Sequence, residues 1–108
     1  MREQRQPRSF DLVLPVEVTR IGARKTSIRG ETRHLSSTGI LLVSDHFPGQ
    51  LGQSVEYSIS MPPTQEGQPV VLRCLGKVLR LNPDEGSSEI SLERHEFFRD
   101  ELASRASA

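Results

Sequence analysis

From Asp11 onward the chain alternates apolar and polar residues with a period of two. Leu12, Leu14, Val16 and Val18 fall on one face, and Val13, Pro15, Glu17 and Thr19 on the other. Successive side chains of a β-strand point to opposite sides, so this alternation predicts a half-buried strand and excludes an amphipathic helix. The period returns at Val55, Tyr57, Ile59 and Met61, and again over residues 70–81. There Leu72, Cys74, Gly76, Val78 and Arg80 oppose Val71, Arg73, Leu75, Lys77, Leu79 and Leu81. Residues 26–36 alternate more weakly and carry Arg29, Glu31 and Arg33, which suits a strand with one wet face. Residues 38–44 hold the apolar run Gly39-Ile40-Leu41-Leu42-Val43, and residues 88–92 complete the set as a short strand.

The breaks between these runs have their own chemistry. Gly22 ends the first run, Pro48, Gly49 and Gly52 mark a loop, and Pro62-Pro63 stops the fourth strand before a loop at 64–68. In Asn82-Pro83-Asp84-Glu85-Gly86 the proline presets φ and the glycine supplies a left-handed position. Pro15 lacks a ladder donor, which predicts an edge or bulge at that point, and Gly76 in mid-run predicts a bulge or bend. Six short strands joined by Gly/Pro turns predict an all-β fold, a six-stranded antiparallel barrel, because closure removes exposed edges. After His95 the pattern changes, and the four-residue spacing of Phe98 and Leu102 predicts a short C-terminal α-helix.

A chain of 108 residues holds one such domain. Residues 1–10 contain Arg2, Arg5, Arg8, Gln4, Gln6 and Pro7 with Phe10 as the sole large apolar side chain after Met1, and read as a flexible basic arm. The expected division is arm 1–10, barrel 11–94, and helix and tail 95–108. Lysines and arginines equal aspartates and glutamates at 14 each, which argues against a chain built to neutralise nucleic acid or an anionic membrane. The distribution is uneven. Residues 1–33 hold eight basic against four acidic side chains, and residues 84–101 hold two arginines against seven acids.

The longest apolar stretch, residues 39–43, is far shorter than a membrane span. The charged N-terminus has no apolar segment behind it, so a cytoplasmic location is expected. One cysteine, Cys74, and three histidines in no ligand spacing give neither an internal disulfide nor a metal site, and Cys74 reads as a core residue. His34, Ser36 and Asp45 lack the Gly-x-Ser-x-Gly context of a hydrolase nucleophile, and a non-catalytic chain is expected. Ser36 also reads simply as a turn serine, His46 and His95 as surface or structural residues, and Glu89, Glu93 and Glu96 as a solvated face.

The arm and the segment His34-Leu35-Ser36-Ser37-Thr38-Gly39 together resemble the PilZ family, whose members bind the bacterial second messenger cyclic di-GMP. The family pattern is R-x-x-x-R before the first strand and [D/N]-x-S-x-x-G after the second, on a six-stranded barrel with a C-terminal helix. Arg5-Gln6-Pro7-Arg8 looks like the first motif, His34 to Gly39 like the second, and Gly76-Lys77-Val78-Leu79-Arg80 is similar to the family's later strand. The resemblance implies a non-enzymatic receptor with cyclic di-GMP as ligand and no further cofactor. Arg5 and Arg8 would hold phosphate and guanine, Ser36 and Gly39 would line the base, and Gln4 would add an amide contact. The chemistry suits the residue types. A guanidinium pairs with phosphate, bonds guanine O6 and N7 together and stacks on the purine, while a glycine lets backbone approach closely.

Two positions depart from the pattern. With Arg8 as the second arginine the first falls on Gln4, and Arg5 gives R-x-x-R. His34 occupies the acidic or amide position, and an imidazole does not accept two parallel hydrogen bonds from the guanine edge. A bidentate contact is worth ~1–3 kcal/mol, so a second reading stays open: a PilZ-like adaptor that no longer binds the ligand and contacts a protein of motility or exopolysaccharide machinery. A nucleic-acid-binding barrel is the third. One tyrosine, no tryptophan and zero net charge leave it without stacking platforms or a basic groove.

Overall fold

Val16 and Val18 at alternate positions fix the first long strand, and their partners follow from register. The computed structural model describes residues 9–10, 12–61 and 70–99. Its strands are β1 (Ser9–Phe10), β2 (Pro15–Ile21), β3 (Arg24–Ser36), β4 (Gly39–Val43), β5 (Ser54–Met61), β6 (Val70–Asn82), β7 (Ser87–Ser91) and β8 (Arg94–Arg99), with one 3₁₀ turn at Pro83–Glu85. Antiparallel pairing runs β3–β2–β5–β6–β7–β4, and β4 pairs back onto β3. These six strands close on themselves and are the six expected from the alternation. Pro15 is the first residue of β2, where its missing N–H costs the ladder least. The turn after Asn82 forms as its residues predict, with Gly86 at φ 65° donating to the Pro83 carbonyl.

The barrel interior is filled from the inward faces. Val16, Val18 and Ile21 of β2, Ile40 and Leu42 of β4, Val55, Tyr57 and Ile59 of β5, Leu72, Cys74 and Val78 of β6, and Ile90 of β7 are all buried. On β2 the buried series passes from Val18 to Ile21 because the register shifts between Val18 and Arg20, which turns the last residues by one position. Leu12 departs from the predicted face. It is 40% exposed because regular pairing begins only at Pro15, whereas Leu14 remains buried.

Two strands lie outside the closed ring. β1 pairs with the end of β3, Ser9 opposite Ser36 and Phe10 opposite Leu35, on the edge that β2 leaves after pairing Pro15 with Glu31. β8 pairs with β6 from Val70–Arg99 to Leu75–Arg94, while β7 pairs with β6 only from Val78 onward. The helix expected from residue 95 is therefore corrected over 95–99, which are strand. The first half of β6 offers an unpaired edge, and filling a backbone ladder outweighs a local helical spacing of two apolar residues. Residues 100–108 lie outside the described residues.

Gly76 also differs from expectation. Its pairing with β5 is continuous from Val70 to Lys77, and the register shift in β6 falls between Val78 and Arg80. Gly76 instead marks the exchange of partners from β8 to β7. A Cβ there would meet the Ser91 carbonyl oxygen at 1.7 Å, so the absence of a side chain lets the end of β7 pack directly against the β6 backbone.

Candidate functional site

The segment His34 to Gly39 is a hairpin joining β3 to β4, with Ser36 opposite Gly39 and residues 37–38 at the turn. The register of β3 against β4 shifts between Thr32 and His34. Without that shift His34 would share the inward face of buried Thr32; with it, His34 stands opposite half-buried Leu41, and Thr32 opposite buried Leu42. The bulge thus brings His34 and Ser36 to one outer face, as their two-residue spacing predicts.

That face carries a pocket of about 290 Å³ lined by His34, Ser36, Thr38, Gly39 and Leu41, and completed by Leu79 of β6 and Glu89 of β7. Three strands meet in one cross-strand row: His34 opposes Leu41, and Leu41 opposes Glu89. Arg80 faces Glu89 from β6, with its Nε 3.8 Å from a Glu89 carboxylate oxygen in a largely exposed ion pair. Such a pair contributes little to stability and leaves the carboxylate able to accept other hydrogen bonds.

Ser36 first builds the turn. Its hydroxyl accepts from the Thr38 N–H at 3.2 Å, donates to the Gly39 carbonyl at 3.3 Å and lies 3.1 Å from the Thr38 hydroxyl. The turn role expected for this serine is observed, and its oxygen still lines the pocket. Gly39 has a packing reason of its own. A Cβ there would lie 2.5 Å from the Ile90 carbonyl oxygen, so the room left by the missing side chain is used by β7.

Gln4, Arg5 and Arg8 lie outside the described residues. The sequence places Arg8 immediately before Ser9, however, and Ser9 pairs with Ser36 at the pocket. Asp45 follows the far end of β4 from Gly39, so the hairpin separates it from Ser36 along the strand. Cys74 is a core residue as expected, and burial pushes its thiol up to about 12. His46 sits at φ 57° in the exposed loop after β4, and His95 is exposed on β8. Glu93 and Glu96 are exposed as predicted, but half-buried Glu89 belongs to the pocket. The signal for Glu89 lay in the register of β4 on β7, which local spacing does not contain; Leu79 falls on the outer face that the alternation of β6 gives it, 58% exposed, and only the sheet order brings that face beside the hairpin.

Among the described residues no helix is long and apolar enough to cross a membrane, and no group of three metal-binding side chains forms. A search of curated proteins finds no match to the chain. The sequence model of the PilZ domain matches residues 2–104, nearly the whole length, over both motifs and all eight strands. An outer-face pocket at the β3–β4 hairpin of a six-stranded barrel, preceded by an arginine arm, therefore belongs to a member of the PilZ domain family.

Proposed function

We propose that this chain is a non-catalytic receptor domain for cyclic di-GMP, the typical ligand of its family, and that the ligand orders the N-terminal arm over the β3–β4 hairpin. The observation that carries the reading is the pairing of Ser9 with Ser36. It tethers the chain one residue after Arg8 to the rim of the pocket that His34, Ser36 and Gly39 line. Arginines on so short a tether reach a ligand in that pocket at high effective concentration. Arg5 and Arg8 would pair with phosphate and stack on guanine, Gln4 would add an amide contact, and Ser36 and Gly39 would line the base.

The test is calorimetric titration of the purified chain with cyclic di-GMP, repeated on Arg8→Ala. Binding that weakens at least about 10-fold in Arg8→Ala supports the reading, since a charge-assisted contact is worth about 1.5–3 kcal/mol. Absence of heat at hundred-micromolar ligand overturns it, and unchanged affinity in Arg8→Ala overturns the role of the arm. The second reading, an adaptor that binds a protein in place of the nucleotide, is favoured by His34 at the acidic position and by the R-x-x-R spacing. It takes precedence if the titration is silent.

A further inference from the structure

We infer that Glu89 is the guanine-selecting residue of this pocket and supplies, from β7, the paired acceptor that His34 lacks on β3. The inference rests on the receptor reading above and adds which base the site prefers and why. Glu89 lines the same pocket as His34, and each is the direct cross-strand neighbour of Leu41, on opposite sides of it. Adjacent strands lie about 4.8 Å apart, so the backbones at His34 and Glu89 are about 10 Å apart across Leu41. Leu41 and exposed Leu79 offer an apolar floor and wall on which a flat purine can lie. A base in that position turns one edge to the imidazole and the other to the carboxylate.

The two edges of guanine differ chemically. O6 and N7 are acceptors, which suits a donor such as an imidazole N–H or a guanidinium, whereas N1–H and the N2 amino group are adjacent donors. A carboxylate is acceptor-only and takes two parallel N–H donors through its two oxygens. Adenine offers no such pair of donors, so a carboxylate at Glu89 favours guanine over adenine. The Arg80 guanidinium meets Glu89 at only 3.8 Å, with Arg80 largely and Glu89 partly exposed to solvent, and this contact does not consume the acceptor capacity of the carboxylate.

Calorimetry with cyclic di-GMP and with its adenine counterpart, cyclic di-AMP, tests the assignment on wild type, Glu89→Gln, Arg80→Gln, and Glu89→Gln combined with His34→Asp. Thermal melts confirm that each variant folds. Glu89→Gln is expected to weaken cyclic di-GMP by at least about 10-fold and to narrow its margin over cyclic di-AMP, because one acceptor of the pair becomes a donor. Arg80→Gln keeps wild-type affinity, and adding His34→Asp to Glu89→Gln recovers binding by returning a carboxylate on the other side of Leu41. Wild-type binding that is unchanged by Glu89→Gln, or weakened equally by Arg80→Gln, overturns the role of Glu89 and leaves the receptor reading standing. A wild type that binds neither ligand overturns both.

Discussion

Thr32 fastens Leu14 to the barrel: the Leu14 N–H donates to the Thr32 hydroxyl at 3.0 Å, and that hydroxyl donates in turn to the Leu12 carbonyl. The Thr32 N–H closes the clamp on the Leu14 carbonyl at 2.9 Å. Thr32 is 1% exposed, so these groups have no water to replace the threonine. Thr32→Val keeps the volume and removes the hydroxyl, leaving the buried Leu14 N–H without its acceptor. The expected loss is about 1–3 kcal/mol in urea denaturation. Because residues 12–14 connect the pocket-side strand β1 to β2, hydrogen exchange at the Leu14 amide should also accelerate more than exchange in β5. Uniform acceleration would show that the clamp has no local role.

Gly76 has the least room of the glycines among the described residues. The Cβ of an alanine there would need the Ser91 carbonyl to withdraw from 1.7 Å, and Ser91 is also held by the Tyr57 hydroxyl at 2.9 Å and, through its own hydroxyl, by the Lys77 N–H at 2.8 Å. Gly76→Ala is expected to cost about 3 kcal/mol or more. Gly52→Ala is the informative comparison, since nothing lies within 4 Å of its Cβ and only φ 82° opposes it. A left-handed conformation costs about 1–2 kcal/mol, so equal destabilisation of the two variants would reject the close packing of Ser91 on Gly76 as the cause.

The contrast between these positions marks what the sequence holds. All six barrel strands were legible, because a strand buried on one face writes its period directly into residues such as Val16, Val18, Val55, Tyr57 and Ile59. So was the His34–Gly39 hairpin, because turn chemistry is local. The strand at β8 was not legible. Residues 94–99 pair only because β6 presents an open edge twenty or so residues earlier, and no window of sequence records that edge. The pocket was half legible for the same reason. His34, Ser36 and Gly39 sit within one hairpin, whereas Glu89 and Leu79 reach it only through the pairing of β4 with β7 and of β7 with β6, which no local window contains.

Cys74 should be inert in the folded protein. The residue is 5% exposed, and burial raises its thiol pKa from an ordinary 9.0 to about 12. At pH 8 that leaves about a thousandfold less thiolate than an ordinary cysteine would present. Only the thiolate attacks a disulfide. Reaction with a chromogenic disulfide reagent is therefore expected to follow unfolding, becoming fast in 6 M guanidinium and slowing with every stabilising condition. Prompt labelling of the native protein would mean that the β6 interior opens far more readily than its packing implies.

Alkaline pH should weaken the same region. Burial raises the Cys74 thiol to about 12, opposed in part by the neighbouring Tyr57 hydroxyl, and burial also raises the Tyr57 hydroxyl well above 10.0, with Cys74 adding to the effect. Below pH 9 both groups are neutral in the folded and the unfolded chain, and they contribute no pH dependence. Above pH 9 the unfolded chain loses the Cys74 proton while the folded chain keeps it, so the unfolded state binds fewer protons and stability falls as pH rises. The decline steepens above pH 10, where unfolded Tyr57 also ionises, and each group adds at most about 1.4 kcal/mol per pH unit. Cys74→Val keeps an apolar side chain of similar size at the site and removes the first of the two titrations. Urea midpoints at pH 8, 9.5 and 10.5 should fall from pH 9 in wild type and, for these two groups, only from about pH 10 in Cys74→Val. Parallel declines in the two proteins between pH 8 and 9.5 would place the alkaline sensitivity elsewhere than at this buried pair.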